Sequence, residues 1–126
     1  MRILLDPHPP AAELGEFWLA AWGHRGYGDF PAILARNLAH LCAYEEDRLV
    51  GFINVAWDGG RHAFLLDTCV HPEFRGRGIG TALVKQATGA ARARGARWLH
   101  VDFEPHLAAF YRGCGFRHTE AGLMEL

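Results

Sequence analysis

A glycine-rich junction in the middle of the chain reads Val70-His71-Pro72-Glu73-Phe74-Arg75-Gly76-Arg77-Gly78-Ile79-Gly80-Thr81-Ala82-Leu83. A strand-like run leads into it, and apolar residues at three- and four-residue spacing predict a helix after it, ending near Gly95. The first amides of a helix have no partner within the helix, and glycines let a bulky anion approach them. Arg75 and Arg77 add positive charge, and Thr81 adds a hydroxyl. The junction therefore predicts a phosphate-binding loop, and a solvated glycine-rich turn is the alternative.

The two most familiar nucleotide-binding loops do not account for this junction. A P-loop needs a lysine after its last glycine, and the junction has none. A dinucleotide-binding fingerprint needs glycine where Thr81 stands, and its turn is tighter than the five residues between Val70 and Gly76 allow. The expected phosphate ligand is therefore held in some other way.

Helices and strands are predicted along the rest of the chain. Besides the helix after the junction, helices are predicted at residues 11–22, 31–40 and 105–111. Strands are predicted at residues 3–5, 41–44, 49–57, 62–70, 98–103, 116–118 and 123–126. The run Asp58-Gly59-Gly60 is a hairpin signal between two of these strands. This order predicts an α+β fold in which a largely antiparallel sheet contains one crossover.

The composition is that of one globular domain, which we expect to span residues 1–126. Half of the residues are hydrophobic, and 14 acidic residues nearly balance 13 basic ones, which argues against nucleic-acid binding. No apolar run reaches the roughly 20 residues of a membrane-spanning helix, and the first seven residues lack the apolar region of a signal peptide. We therefore expect a cytoplasmic protein without membrane contacts. Its cysteines, Cys42, Cys69 and Cys114, are expected to be reduced, and their spacing predicts no metal site.

A second motif begins thirty residues after Gly80 and reads Phe110-Tyr111-Arg112-Gly113-Cys114-Gly115-Phe116. Together the two motifs resemble the signatures of the GNAT family of N-acetyltransferases. The first signature of that family is Gln/Arg-x-x-Gly-x-Gly/Ala, which Arg75, Gly78 and Gly80 match. The second is a tyrosine followed four and five residues later by Gly-Phe, which the second motif matches. The predicted order of elements is similar over nearly the whole chain, although the first forty residues match only in shape.

The resemblance implies both a fold and an activity. The fold is a twisted, mostly antiparallel sheet of about six to seven strands flanked by about four helices. The activity is that of an enzyme that moves the acetyl group of acetyl-CoA onto a primary amine by direct transfer within a ternary complex. The acceptor is expected to be a small molecule, and a homodimer is a further expectation. The alternative is a sensor module that binds acetyl-CoA without catalysis, and the intact tyrosine of the second motif argues against it.

The resemblance also implies where acetyl-CoA binds. The pantetheine arm is expected along the backbone of Thr68, Cys69 and Val70, where an amide also faces the thioester oxygen. Relatives often carry an asparagine that contacts the pantetheine at the place of Glu104, and a one-residue offset makes Pro105 the alternative counterpart. In that case Glu104 is left to contact the acceptor. The pyrophosphate is expected on Arg75 and on the backbone amides of Gly76, Arg77, Gly78, Ile79, Gly80 and Thr81.

Three side chains are expected to carry the chemistry. Tyr111 matches the general acid of the family, which protonates the departing thiolate of coenzyme A; its alternative role is that of a core aromatic. The attacking amine must lose a proton, and Asp67 and His100 are the candidate bases, with a solvated aspartate and a sheet histidine as the alternatives. An acetyl-cysteine intermediate on Cys69 or Cys114 is a further alternative, although neither has a base beside it in the sequence.

The acceptor is expected to bind the loop after the first helix and the outer strands. Aromatic rings in this region suit a cation, although the pair of tryptophans on the first helix is also typical of a helix core. The side chains concerned are Trp18, Trp22, His24, Arg25, Tyr27, Phe30 and Trp57.

Overall fold

The computed structural model describes residues 1–126, in which one five-stranded sheet has helices on both faces. The strands are β1 (Arg2–Leu5), β2 (Ala39–Glu45), β3 (Arg48–Trp57), β4 (His62–Val70) and β5 (Trp98–His100). The helices are α1 (Ala11–Trp22), α2 (Phe30–Arg36), α3 (Ile79–Ala93) and α4 (Ala108–Gly113). Short 3₁₀ turns, Pro72–Phe74 and Pro105–Leu107, precede α3 and α4. No helix is both long enough and apolar enough to cross a lipid bilayer.

The strands lie in the sheet in the order in which they occur in the chain. Neighbours from β1 to β4 are antiparallel, and β4 is parallel to β5. A parallel pair needs a crossover connection, and α3 lies in the segment that provides it. The predicted α+β fold with a largely antiparallel sheet and one crossover is therefore confirmed.

The expected number of strands was wrong, because the sheet has five strands rather than six to seven. Residues 116–118 and 123–126, predicted as strands, lie outside regular secondary structure. The Phe116 amide donates to the Tyr111 carbonyl at 3.1 Å, so it terminates α4 and does not pair with a strand. The apolar residues beyond it, Leu123, Met124 and Leu126, are exposed, and no burial against the sheet favours an extended conformation there.

Two further element boundaries differ from prediction. The second helix, predicted to reach residue 40, ends at Arg36, because Asn37 is extended and the Leu38 amide donates to the Val55 carbonyl at 2.9 Å. The strand predicted at residues 98–103 ends at His100, where its pairing with β4 also ends. In both places the position of a distant strand decides where the local pattern stops.

The two faces of the sheet are covered by different helices. The α3 helix packs on one face through Ile79, Leu83, Val84, Ala87 and Ala91. The α1 and α2 helices pack on the other face around Phe52 and Cys69. Gly51 of β3 permits the close approach of α3, because a Cβ atom there would lie 3.0 Å from both Ile79 Cγ2 and Leu83 Cδ1.

A β-bulge interrupts β4 at the centre of the molecule. Phe52 of β3 pairs with Cys69, but Asn54 pairs with Leu66, so two residues of β4 oppose one residue of β3. Asp67 lies in the bulge with a left-handed φ of 59°, which aspartate tolerates better than most residues. The bulge changes the directions of the side chains in the second half of β4.

Candidate active site

The strand β4 separates from β5 at the site. The two strands pair only at His62 with Trp98, Ala63 with Leu99, and Phe64 with His100. Beyond Phe64 the edge of β4 that faces β5 has no strand partner, and this open edge includes Thr68, Cys69 and Val70. An open strand edge is a place where an extended, amide-containing ligand can bind by backbone hydrogen bonds.

The glycine-rich loop leads from β4 to the first turn of α3. Gly76 and Gly78 have φ values of 78° and 82°, which favour glycine, and Gly78 is the N-cap of the 15-residue α3. A Cβ atom at either glycine would meet no other atom within 4 Å, so the loop surface above both residues is open. An open surface at the positive end of a helix fits a pyrophosphate group.

The two arginines of the loop also stabilise it from within. Arg75 Nε donates to the Val70 carbonyl at 3.1 Å, and the Arg77 guanidinium donates to the Glu73 carbonyl at 3.3 Å. The Arg77 guanidinium also lies 4.8 Å from the centre of the Phe74 ring. Both cations are thereby held at the loop, where they add to the positive potential of the helix N-terminus.

Gly80 brings the two sequence motifs together in space. It lies in the first turn of α3, and a Cβ atom there would be 3.5 Å from Phe110 Cζ of α4. The start of α3 therefore contacts the helix that carries the second motif. The next residue along α4, Tyr111, is the predicted acid.

Tyr111 is held in an aromatic cluster with its hydroxyl directed at β4. Its side chain is only 6% exposed, and its ring lies 4.8 Å from Phe103, 4.9 Å from Phe110 and 5.9 Å from Phe116. Burial raises the pKa of Tyr111, whereas hydrogen bonding with the Thr68 side chain lowers it. The hydroxyl thus meets the open part of β4 and keeps its proton at neutral pH.

Asp67 lines a cavity on the face of the sheet opposite to α3 and Tyr111. The cavity has a volume of about 250 Å³ and is lined by Trp18, Tyr27, Gly28, Phe30, Ile33, Leu34, Phe52, Asn54 and Asp67. Asp67 is exposed to solvent at the edge of the cavity, yet the surrounding protein partly desolvates its carboxylate and raises the pKa of Asp67. Hydrogen bonding with the Asn54 side chain opposes this rise in pKa.

Asn54 is oriented by a second asparagine. It is 2% exposed, and its Oδ1 accepts a hydrogen bond from Asn37 Nδ2 at 2.6 Å. Because the oxygen of the amide is occupied in this way, its NH₂ group is left to face the carboxylate of Asp67. Neither Asn54 nor Asn37 was predicted from the sequence as a site residue. A signal was available for Asn54, because it is a polar residue inside the apolar run of β3.

The second candidate base, His100, lies in a different cleft. Its Nε2 is 2.8 Å from His62 Nδ1, and its ring stacks on Phe64 at 4.6 Å. The cleft has a volume of about 730 Å³ and lies between β5 and residues 115–122, and Asp67 does not line it. The structure therefore does not bring His100 and Asp67 together. Nowhere in the protein are three His, Cys, Asp or Glu side chains grouped to hold a metal ion.

The sequence model of the acetyltransferase (GNAT) family matches residues 3–116. The chain belongs to this family. It is 41% identical over 63 residues to mycothiol acetyltransferase of Nocardia farcinica, covering 50% of this chain and 21% of that protein. It is 29% identical to glucosamine 6-phosphate N-acetyltransferase 1 of Oryza sativa subsp. japonica, covering 94% of this chain and 73% of that protein. The chain spans between 21% and 41% of the length of the first curated relatives that it matches.

A solved structure supports the fold assignment. AAC(6')-Iy, in complex with the bisubstrate analogue CoA-S-monomethyl-acetylneamine, has a TM-score of 0.76 and 20% identity, covering 100% of this chain and 98% of that one. The GNAT family uses acetyl-CoA as its acetyl donor. The open edge of β4 and the open glycine loop fit this donor, which has an extended amide-containing arm and a pyrophosphate.

The remaining predicted residues divide between the site and its surroundings. Glu104 is exposed at the start of the 3₁₀ turn before α4, and its carbonyl accepts a hydrogen bond from the Leu107 amide at 2.9 Å.

Burial raises the pKa of Cys69 to about 12 and also raises the pKa of Cys114, so both thiols stay protonated. This argues against an acetyl-cysteine intermediate, which needs a thiolate. Of the predicted acceptor residues, Trp18, Tyr27 and Phe30 line the cavity, and Trp22, His24, Arg25 and Trp57 do not.

Proposed function

We propose that this GNAT protein transfers the acetyl group of acetyl-CoA to a primary amine within a ternary complex. The observation that carries the proposal is the bulge of β4. At the bulge, Asp67 lines the apolar cavity on one face of the sheet, and the next residue, Thr68, faces the Tyr111 hydroxyl. Adjacent residues of one strand thus connect a candidate base with a candidate acid.

The donor-binding residues that we propose follow from this arrangement. Acetyl-CoA supplies an acetyl group activated as a thioester. The open backbone edge at Thr68, Cys69 and Val70 binds the pantetheine arm, and Glu104 borders it. The pyrophosphate is bound by Arg75 and by the amides of Gly76, Arg77, Gly78, Ile79, Gly80 and Thr81, because the surface above Gly76 and Gly78 is open.

Two proton transfers are assigned to side chains of this chain. A carboxylate oxygen of Asp67 accepts a proton from the ammonium group of the acceptor, and its raised pKa makes it a stronger base than an ordinary aspartate. The Tyr111 hydroxyl donates a proton to the sulfur that leaves, and the second proton lost by the nitrogen as the amide forms restores the phenol. The raised pKa of Tyr111 keeps this hydroxyl protonated until that step.

Asp67 is favoured over His100 as the base. Asp67 lines a cavity that can enclose an acceptor, and two asparagines hold its surroundings in place. His100 interacts with His62 and lies in a separate cleft. A base must come within hydrogen-bonding reach of the proton that it removes, and Asp67 lines the apolar cavity while its neighbour in the strand, Thr68, faces Tyr111.

The test is the release of free coenzyme A thiol on a broad panel of primary amines. At least one amine should raise thiol release above the amine-free rate, and Asp67→Asn should lower that turnover by roughly tenfold or more. Asparagine tolerates the left-handed φ at this position, so the fold is kept. Asp47→Asn, in the exposed turn between β2 and β3, is the matched control and should leave turnover unchanged.

Binding of the donor is measured on the same proteins. Acetyl-CoA at 100 times its dissociation constant should stabilise the fold by about 2.7 kcal/mol, in the parent and in Asp67→Asn alike. If acetyl-CoA gives no rise in melting temperature, the proposal is wrong. If it gives a rise but no amine is acetylated, the protein is a sensor and not an enzyme.

A further inference from the structure

The cavity beside Asp67 is lined mostly by apolar side chains and contains a single carboxylate. Six of its nine lining residues are hydrophobic. Asp67 is its one ionisable side chain apart from the phenol of Tyr27, and no lysine, arginine or histidine lines it. The other side chains that can form hydrogen bonds are Asn54, whose Oδ1 already accepts from Asn37, and the indole N–H of Trp18. The cavity therefore offers one negative charge at one place and apolar surface elsewhere.

The walls of the cavity belong to the core between α1, α2 and the sheet. The Trp18 ring lies 5.1 Å from Phe30 and 5.9 Å from Phe52, and all three side chains are buried. Such contacts between core rings keep the walls in place without a ligand. Asp67, Ile33 and Tyr27 are exposed at the rim, and Ile33 and Tyr27 have 39% and 92% of their surfaces exposed.

This environment favours an apolar acceptor for energetic reasons. A hydroxyl that lies among Phe30, Ile33 and Leu34 finds no polar side chain there, and the loss of its water costs roughly 1–3 kcal/mol per group on the scale of protein mutants. A methylene or an aryl ring in the same place gains free energy from burial. An ammonium group also loses water on entering the cavity. This cost is compensated only beside Asp67, where the carboxylate and the nearby rings both attract the positive charge.

We infer that the acceptor is a small primary amine with a single positive charge and an apolar, preferably aromatic, body. Its ammonium group binds at Asp67, and its body lies among Trp18, Phe30 and Ile33. This inference rests on the proposed function and narrows the class of acceptor. The cavity volume of about 250 Å³ is below the range of about 300–1,000 Å³ that is usual for drug-sized ligands, so it suits a small body.

Two other classes of amine do not fit the cavity. A phosphorylated amino sugar needs cationic partners for its phosphate, and the arginine nearest in sequence to the rim, Arg25, is paired with Glu16 and does not line the cavity. A polyamine or aminoglycoside needs several carboxylates for its several charges, and the cavity provides one. In either case an extra charge placed among the walls of the cavity would lie unpaired against apolar surface.

The first test compares three acceptors with acetyl-CoA, again by release of free thiol. We expect kcat/KM for 2-phenylethylamine to exceed that for glucosamine 6-phosphate and for spermidine by roughly 100-fold or more, because unpaired polar groups in a preformed site carry large penalties. A higher kcat/KM for the sugar phosphate or for spermidine would overturn this inference and leave the proposed function standing. Failure of every amine on the broad panel would overturn both.

The second test places a charge on the rim of the cavity. Ile33→Lys, on the exposed side of α2, introduces a cation that repels the ammonium group of the acceptor and removes apolar contact. We expect kcat/KM for 2-phenylethylamine to fall by roughly tenfold or more, while the stabilisation by acetyl-CoA is unchanged. Ala35→Lys is the matched control, because it adds the same charge to an exposed position of the same helix outside the cavity. Equal activity of the two lysine variants would overturn the inference.

Discussion

At the scale of single residues, Tyr111 has a ring that packs in the core and a hydroxyl that faces the proposed reaction site. Its ring belongs to the core on the α3 face, in contact with Phe103, Phe110 and Phe116. Its hydroxyl faces Thr68 at the open edge of β4. A substitution that removes only the oxygen therefore separates the two roles.

Tyr111→Phe is expected to keep the fold and acetyl-CoA binding but to lower kcat by roughly 100-fold or more, the scale of losing a general acid. The measurement is turnover with an accepted amine, together with the melting temperature with and without acetyl-CoA. Tyr44→Phe on β2 removes a phenol outside the site and should leave kcat unchanged. Turnover of Tyr111→Phe within a few-fold of the parent would show that Tyr111 is a core aromatic only.

At the scale of elements, the start of α3 decides whether a pyrophosphate can bind. Gly78 at the N-cap and Gly80 in the first turn of this helix present no side chain to a ligand, and the unpaired amides there carry partial positive charge. Gly80 has room for a Cβ atom, whose nearest neighbour would be Phe110 Cζ at 3.5 Å. A side chain at this position therefore changes the ligand surface and leaves the backbone as it is.

Gly80→Glu is expected to abolish the stabilisation by acetyl-CoA, because it places a carboxylate where the pyrophosphate is proposed to bind. The fold should be retained, because an acidic side chain in the first turn of a helix interacts favourably with the helix dipole. The measurement is the melting temperature over a titration with acetyl-CoA. Gly89→Glu adds the same charge to an exposed, open position further along α3 and should bind as the parent does. Equal binding by the two variants would show that the loop is only a turn.

At the scale of the whole molecule, a partly buried polar network joins the end of β1, the start of β2 and the end of α3. Asp6 accepts hydrogen bonds from the His40 amide at 2.9 Å and pairs with Arg94 at 2.6 Å. Arg94 also donates to the Leu38 carbonyl at 2.7 Å. His40 Nε2 accepts from the His8 amide at 3.0 Å, so the buried imidazole is bonded in its neutral form.

This network predicts that the protein loses stability in mild acid. Burial lowers the pKa of His40 from 6.5 to about 4. As the pH falls through 6.5, the unfolded chain takes up a proton that the folded chain refuses until about pH 4, so the free energy of unfolding falls across this window. The loss is about 3 kcal/mol when complete. The pKa of Asp6 is also lowered, because hydrogen bonds from His40 and Arg94 outweigh its burial, and its contribution is lost at still lower pH.

The check is chemical denaturation at several pH values between 7 and 4. His40→Gln should be less stable at pH 7 but should lose less stability than the parent as the pH falls, because the titrating group is gone. His118→Gln, at an exposed position, should follow the parent. The same pH dependence in the parent and in His40→Gln would contradict the assignment of this pH dependence to His40.

The cytoplasmic location, the single domain and the homodimer remain predictions at this scale.

Local sequence patterns were enough to predict the parts of the protein that depend on neighbouring residues. The glycine loop, the start of α3 and the tyrosine of the second motif follow from contiguous residues, because turn conformation and helix periodicity are local properties. These parts were sufficient to predict the family and the α+β fold. The two C-terminal strands were predicted on the same local basis and were wrong, because a strand forms only where another strand pairs with it.

The tertiary structure alone decided which side chains meet. The bulge at Asp67 depends on the register between β3 and β4, and a shift of one residue in register reverses the faces to which side chains point. The contact of Tyr111 with Thr68, the placing of His100 in a separate cleft and the asparagine pair near Asp67 all join residues far apart in the chain. Such contacts form through packing between distant elements, and local patterns carry no information about them.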